Sequence, residues 1–136
     1  MLTLTLTEFE TNTPDEQVYV SLDVAVEAAP FAGATHCTVL ERNMIGFLDE
    51  LGRLGRTSKG QADLTGGWGE VEYVRMSVCP HGSRGNLALR VMLRDPDNNF
   101  HVEGSLVVEP QMVIDFALRL RAAVLSRKLT KIELAA

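Results

Sequence analysis

The chain has 136 residues, a net charge of −5 and 46% hydrophobic residues. This length fits one domain that buries roughly two-thirds of its unfolded surface, and the composition is far from that of disordered proteins. The acidic balance argues against a nucleic-acid-binding domain, which usually carries a basic surface. It suits a basic protein partner because opposite charges speed encounter, although the same charge also serves simply to keep a small protein soluble.

Targeting and redox signals are also absent from the sequence. No stretch approaches the roughly 18 apolar residues of a membrane span. Residues 1–7 lack the basic start of a signal peptide. The two cysteines, Cys37 and Cys79, are too few for a disulfide framework and are expected to stay reduced in a cytosolic protein. We therefore expect one cytoplasmic domain over residues 1–136, without membrane association.

Hydrophobic alternation predicts three strands at the start of the chain. Leucine alternates with threonine over residues 2–7, and every second residue is Val or Leu over 18–26. Segment 30–33 breaks the pattern, and a weaker strand follows over about 34–40. A period of two is typical of strands with one buried face, and no internal sequence repeat is apparent.

The pattern then changes to helical spacing. Four hydrophobic residues recur at i, i+3, i+4 and i+7, which predicts an amphipathic helix. Gly52 and Gly55 suit the end of this helix. Residues 55–69 are rich in Gly, Ser and Thr and are expected to form a long loop. The hydrophobic residues of the predicted helix are Met44, Phe47, Leu48 and Leu51.

Three more strands and a second helix follow. The strands are predicted over residues 71–78, 87–93 and 100–108, and Pro110 suits the first turn of the helix. Residues 129–136 are expected to be a short tail. The fold is thus predicted to be α+β, a six-stranded mostly antiparallel sheet with two helices on one face, in the order βββαβββα. The apolar stripe of the second helix consists of Val113, Phe116, Ala117, Leu120 and Val124.

The predicted hairpin loop at 96–99 also predicts how the strands before and after it pair. If Asp95 faces Phe100, then apolar residues oppose one another along both strands, with Leu93 facing Val102. The same register places Leu89 opposite Leu106 and Leu87 opposite Val108. The opposite face then carries Arg90, Met92, Arg94, His101, Glu103 and Ser105, joined by Tyr73, Arg75 and Ser77 of the preceding strand.

No common catalytic or cofactor motif is present. The sequence has no GxGxxG, P-loop, HExxH or GxSxG pattern, so we expect no enzyme, no catalytic residue and no cofactor. His36, Cys37, Cys79 and His81 are suitable types for zinc ligands. Adjacent strand residues point to opposite faces, however, so His36 and Cys37 are expected not to converge on a metal.

Several local patterns follow one another in a recognisable order. They include Phe31-Ala32-Gly33, Phe47-Leu48-Asp49-Glu50-Leu51, Gly60-Gln61-Ala62-Asp63-Leu64, Gly85-Asn86-Leu87 and Glu109-Pro110-Gln111. Over about residues 16–126 this order resembles the WapI-type bacterial immunity proteins and related bacterial proteins of unknown function. Gly85-Asn86 departs from the glycine-histidine step of that family. The resemblance implies a bacterial protein that binds and neutralises a cognate toxin, often a nuclease.

The leading functional hypothesis is therefore an immunity-type inhibitor of a toxin, possessing no activity of its own. Two alternatives stay open: an accessory or scaffold module, with homodimerisation through a sheet edge or face, and an enzyme or small-ligand binder with a dispersed site. We expect partner binding on the helix-free face, because Tyr, Met and Arg are enriched in interfaces. Glu70, Glu72 and Glu103 are expected to meet a basic toxin domain. The candidate residues are Tyr73, Arg75, Arg90, Met92 and Glu103.

Overall fold

The computed structural model describes residues 1–12, 16–68, 71–95, 97 and 100–134, with the backbone alone at positions 31, 68 and 100. These residues form one sheet and two helices. The first half contains β1 Leu2–Asn12, β2 Gln17–Ala28, β3 Phe31–Leu40, α1 Glu41–Thr57 and β4 Ala62–Trp68. The second half contains β5 Val71–His81, β6 Asn86–Asp95, β7 Phe100–Val108, α2 Pro110–Leu125 and β8 Lys131–Leu134.

The described strands form an eight-stranded sheet in the order β7-β6-β5-β4-β3-β2-β1-β8. Every pairing in it is antiparallel, so the predicted α+β class and the antiparallel sheet are confirmed. The predicted number of six strands and the order βββαβββα are wrong. The missing strands are β4, which lies in the expected loop over 55–69, and β8, which lies in the expected tail over 129–136.

The two missed strands reveal a repeated topology. The order βββαβ occurs twice, first as β1 to β4 with α1 and then as β5 to β8 with α2. The last strand of each repeat pairs with the first strand of the other: β4 with β5, and β8 with β1. The sheet therefore consists of a first half-sheet, β3-β2-β1-β8, and a second half-sheet, β7-β6-β5-β4.

The core lies on the face of the sheet that the helices cover, here called the inner face. The predicted core positions Phe47, Leu51, Phe116 and Leu120 are all buried, together with the alternate leucines of β1. The predicted pairing of β6 with β7 is also confirmed, with Asp95 opposite Phe100 and each apolar pair as expected. Strand alternation thus identified the inner face correctly.

The helices pack against each other in antiparallel orientation. The Asp49 carboxylate of α1 lies 3.1 Å from Arg121 Nε of α2. Near the other end of α1, a Cβ on Gly55 would lie 2.5 Å from the Ile114 side chain and 3.2 Å from the Pro110 carbonyl oxygen. Gly55 therefore allows the two helices to pack closely and does not end α1. The helix continues to Thr57, and Ser58 caps its end in the left-handed conformation.

No helix in the described ranges is long and apolar enough to cross a membrane.

Replacing Ile132 by Ala should destabilise the protein by about 2–4 kcal/mol, because this β8 side chain is only 7% exposed and its removal leaves a cavity. Lys131→Ala, on the exposed side of the same strand, should change the free energy of unfolding by less than about 0.5 kcal/mol. Urea denaturation of both variants measures the difference. Equal, negligible effects would mean that residues 131–134 are an undocked tail.

Candidate functional site

Four of the residues predicted to bind a partner, Arg75, Arg90, Met92 and Glu103, lie together on the outer face of the second half-sheet, opposite the helices. The fifth, Tyr73, lies at a bulge of β5 and has no residue opposite it on β4. Arg75 lies opposite Met92 on β6, and Met92 lies opposite Glu103 on β7. Arg90 is two residues from Met92 on the same face. Arg75, Arg90 and Glu103 are exposed and Met92 is half-buried. Tyr73 is also half-buried and packs against the core, so only part of its side chain is accessible.

The charges on this face differ from the expectation. Arg75 Nε lies 3.0 Å from Glu72 Oε1, and Arg75 Nη2 donates to Glu72 Oε2 at 3.1 Å. The Glu103 carboxylate lies 3.5 Å from His101 Nε2. Arg90 and Arg94 are exposed and make no ion pair within the described part of the chain. Glu72 is therefore already paired with Arg75, Glu70 lies outside the described residues, and the unpaired cations of β6 are Arg90 and Arg94.

The charged side chains of the first half-sheet are mainly acidic. Residues 1–41 contain no Lys or Arg. On its outer face, the Asp23 carboxylate oxygen Oδ1 accepts a hydrogen bond from His36 Nδ1 at 2.6 Å. Among the described residues of these four strands, the one Lys or Arg is Lys131 of β8, which lies opposite Thr5 of β1. The first half-sheet is thus acidic, whereas the second mixes the exposed acids Asp63 and Glu103 with Arg75, Arg90 and Arg94. The exposed acids of β1 and β2 are Glu8, Glu10, Asp23 and Glu27.

The two half-sheets meet at a seam between β3 and β4, where one residue pair joins the strands within the described ranges: Thr38 opposite Gly67. The approach is very close. A Cβ on Gly66 would lie 2.6 Å from Cys37 Sγ and 3.0 Å from Val39 Cγ2, both on β3, so glycine at this position makes the close seam possible. A Cβ on Gly67 would instead collide with the Val71 backbone oxygen of β5, at the irregularity in the β4–β5 pairing.

A cleft of about 900 Å³ opens along this seam. We call it the seam cleft. Residues from β1 to β5 and from the first turn of α1 line it, so side chains far apart in sequence converge there. Its lining is predominantly polar. The polar side chains that line it belong to Glu10, Thr11, Asn12, Tyr19, Thr38, Asn43, Thr65 and Glu72.

The chemistry of the seam cleft favours a cation. Its described lining contains two carboxylates, four hydroxyls and two amides, and none of these residues is Lys, Arg or His. Glu10 is exposed and makes no ion pair among the described residues. Glu72 Oε1 is enclosed and lacks a hydrogen bond, since its 3.0 Å contact with Arg75 Nε is poorly directed. A lysine or arginine side chain would supply donors to these oxygens, whereas a phosphate would meet carboxylates.

The cysteine and histidine residues are separated by the fold. His36 and Cys37 do point to opposite faces of β3, with His36 exposed and Cys37 buried. Cys79 lies on β5, opposite Ala88 of β6, and is half-buried. Within the described ranges no group of three or more His, Cys, Asp or Glu side chains is arranged to hold a metal ion.

Comparison with known proteins adds little to this geometry. No protein-family model and no curated protein matches the chain. A solved crystal structure of MRP1/MRP2 from Trypanosoma bruciei is similar, with a TM-score of 0.45 and 14% sequence identity, over 90% of this chain and 85% of that one. At that level of similarity no functional argument follows.

The seam cleft was not found by sequence analysis, although the sequence held two signals of it. One is the absence of basic residues from the first three strands. The other is the adjacent pair Gly66-Gly67, which was interpreted as a loop. Neither signal indicates that β1 and β5 lie at the same cleft, because that depends on how the half-sheets join.

Replacing Gly66 by Ala should destabilise the protein by about 1–3 kcal/mol, because the added methyl group overlaps the buried Cys37 side chain. Gly104→Ala is the matched control: it also lies in a strand, and an added Cβ there meets no atom within 4 Å. The control should be neutral or slightly stabilising. Thermal melts of both variants test this, and equal melting temperatures would contradict the close seam.

Cys37 should be chemically inert in the folded protein. Burial, followed by the charge of Asp23, raises the pKa of its thiol from the usual 9.0 to about 12. Because the folded pKa exceeds the unfolded one, the stabilising effect of the neutral thiol is complete below pH 9 and is lost as the pH rises toward 12.

Labelling with Ellman's reagent at about pH 8, where an ordinary cysteine is partly thiolate, measures this inertness. A Cys79→Ser variant should react only after denaturation. The matched Cys37→Ser variant, which keeps the half-buried Cys79, should react in the folded state. Rapid labelling of native Cys79→Ser would show that Cys37 is accessible.

Proposed function

We propose that this chain is a non-enzymatic cytoplasmic binding protein that neutralises a basic toxin domain by taking one of its lysine or arginine side chains into the seam cleft. The observation that carries the proposal is the cleft lining, where the exposed carboxylate of Glu10 makes no ion pair among the described residues and is accompanied by neutral hydrogen-bonding groups. The toxin class is what the resemblance to WapI-type immunity proteins implies. The acidic charge and the seam cleft support a basic partner independently of that resemblance.

The cleft offers a cation both charge and hydrogen-bond acceptors. A guanidinium or ammonium group that reaches Glu10 forms a charge-assisted hydrogen bond, and such bonds are worth about 1.5–3 kcal/mol when they are protected from water. Neighbouring hydroxyls from Tyr19, Thr38 and Thr65 supply further acceptors around the carboxylates. The weak 3.4 Å bond from Tyr19 Oη to Gln17 leaves this hydroxyl available to a ligand.

The candidate residues on the outer face of the second half-sheet lie next to the seam cleft and would extend the same interface. Thr65 lines the seam cleft and also lies opposite Arg75, so the cleft borders the row that continues through Met92 to Glu103. A partner seated in the cleft would thus also cover Met92 and approach Arg90. Arginine and aromatic residues often dominate binding energy at the centre of interfaces. A cation in the cleft and an acidic group near Arg90 would together fix the orientation of the partner.

Long-range attraction favours the same mode of binding. The acidic first half-sheet attracts a basic domain before contact and raises the rate of association. If that domain uses its basic surface to hold nucleic acid, occupation of the surface by this chain excludes the substrate. Inhibition then needs no chemistry from this protein, only a preformed acidic surface.

Replacing Glu10 by Lys should weaken binding to the toxin domain at least about tenfold, because the cleft loses its free carboxylate and gains a repelling charge. The proposal predicts a toxin gene beside this gene, and its toxin domain is the partner to co-express, with growth rescue and the dissociation constant as readouts. Glu27→Lys is the matched control: it is an exposed acid on β2 that does not line the seam cleft.

The control should bind within about threefold of the wild type, since it changes the net charge equally but lies away from the contact. Equal weakening by both variants would mean that only overall charge matters. Absence of any rescue by the wild-type chain would contradict the inhibitor function.

The cleft can also be probed without the toxin. Acetyl-arginine-amide at millimolar concentration should shift the amide resonances of Thr38, Thr65 and Glu72 in a ¹⁵N NMR titration, and acetyl-glutamate-amide should not. Shifts confined to other surfaces would place cation binding outside the seam cleft.

A further inference from the structure

The two edge strands of the sheet differ in how they are protected. β8 has four residues and carries the exposed Lys131, and a short strand with a lysine is a poor template for further pairing. β7 has nine residues, pairs with β6 without a bulge and contains no Pro, Lys or Arg. Among the described residues, the side of β7 away from β6 forms no further backbone hydrogen bond. We call this side the β7 edge.

The apolar side chains of β7 are only partly covered. Val102 and Leu106 on the inner face are half-buried, whereas the residues opposite them on β6 are buried. Val107 on the outer face is 47% exposed. A Cβ on Gly104 would meet no atom within 4 Å, so the inner face is also open at the middle of the strand. A long, regular edge strand with exposed apolar side chains is a template for pairing with another chain.

We propose that the β7 edge pairs with the β7 edge of a second copy of this chain, in a two-fold symmetric dimer whose sheet continues from one copy into the other. A two-fold interface requires a segment that is complementary to itself. Antiparallel pairing centred on Gly104, the middle residue of Phe100–Val108, uses the whole strand. It places Val102 of each copy opposite Leu106 of the other, so the apolar rows of the inner face continue across the dimer.

The same register brings opposite charges of the outer face together. It places Glu103 of one copy opposite Ser105 of the other, and Ser105 lies opposite Arg90 of its own β6. Arg90 and the Glu103 of the second copy are thus two strands apart in one row, about 10 Å between backbones, with only a serine side chain between them. Arg90 is exposed and unpaired within the described ranges, so it is available to this carboxylate. The two Glu103 side chains lie diagonally across the two-fold axis, and the arginine in the row of each offsets their repulsion.

The charges beside β7 suit a second copy better than a strand of the basic toxin domain. Arg90 and Arg94 on the neighbouring strand would repel basic side chains. In the dimer, by contrast, both β7 strands separate the arginines of the two copies, and Glu103 lies between them.

The dimer and the seam cleft are compatible, because no β7 residue lines the cleft. Each copy would keep its cleft open. Loss of the dimer would therefore leave the proposed inhibition intact, and the two proposals can fail separately.

Sedimentation equilibrium of the full chain over a range of concentrations tests the dimer. The wild type should be dimeric, and Arg90→Glu should raise the dimer dissociation constant at least about tenfold, because the new carboxylate faces Glu103 of the second copy. Arg94→Glu is the matched control. Arg94 is an exposed cation on the same face of β6, but its row continues through His101 to Val107 of the second copy. The control changes the net charge equally and should stay within about threefold of the wild type.

A charge exchange tests the register, and amide hydrogen exchange locates the contact. Glu103→Arg should also weaken the dimer, and its combination with Arg90→Glu should restore it. The amides of β7 should become more protected as the protein concentration rises, whereas those of β8 should not change. Circular dichroism of each variant verifies that the fold is retained.

A wild type that is monomeric at the highest concentration would overturn the proposal, as would a dimer that Arg90→Glu leaves intact. Failure of the double variant to recover would overturn the register centred on Gly104. Amides of β7 that exchange equally fast in monomer and dimer would place the contact elsewhere. Protection of β7 only after addition of the toxin domain would assign the edge to the toxin and contradict the dimer.

Discussion

The close contact between β3 and β4 is the constraint on which the rest of the structure depends. One residue pair, Thr38 with Gly67, makes two half-sheets into one sheet. The contact exists because Gly66 leaves room for the Cys37 and Val39 side chains. Among the described residues the two strands are paired at that point alone, and the cleft opens beside it. The same contact that completes the sheet therefore also lies at the candidate site.

The exchange of strands between the two repeats explains why the seam is there. Each repeat supplies three strands to one half-sheet and its last strand to the other, so neither half-sheet is complete alone. The chain therefore has to cross between the half-sheets twice, through α1 and through α2. Both helices consequently lie on the inner face, which leaves the outer faces open. The outer face of the first half-sheet is the more acidic of the two, because the first 41 residues contain no Lys or Arg.

Local patterns predicted those parts of the fold that depend on near neighbours. The β6–β7 register followed from one short hairpin, and it correctly placed Arg90, Met92 and Glu103 on a common exposed face. Long-range contacts decided the rest. Gly55 looked like a helix end but lies inside α1, where its missing side chain makes room for Ile114 of α2, and four-residue β8 is a strand because β1 lies beside it. The seam cleft combines residues as distant as Glu10 and Glu72, which no local pattern connects.

The central claim is that a cation of the partner occupies the seam cleft. A double-mutant cycle between Glu10→Gln and alanine variants of the basic residues of the toxin domain measures that contact directly. The account predicts that one basic residue couples to Glu10 by about 1.5 kcal/mol or more, as close charge pairs in interfaces do. The account would be contradicted if the loss of binding free energy from every alanine variant simply added to the loss from Glu10→Gln.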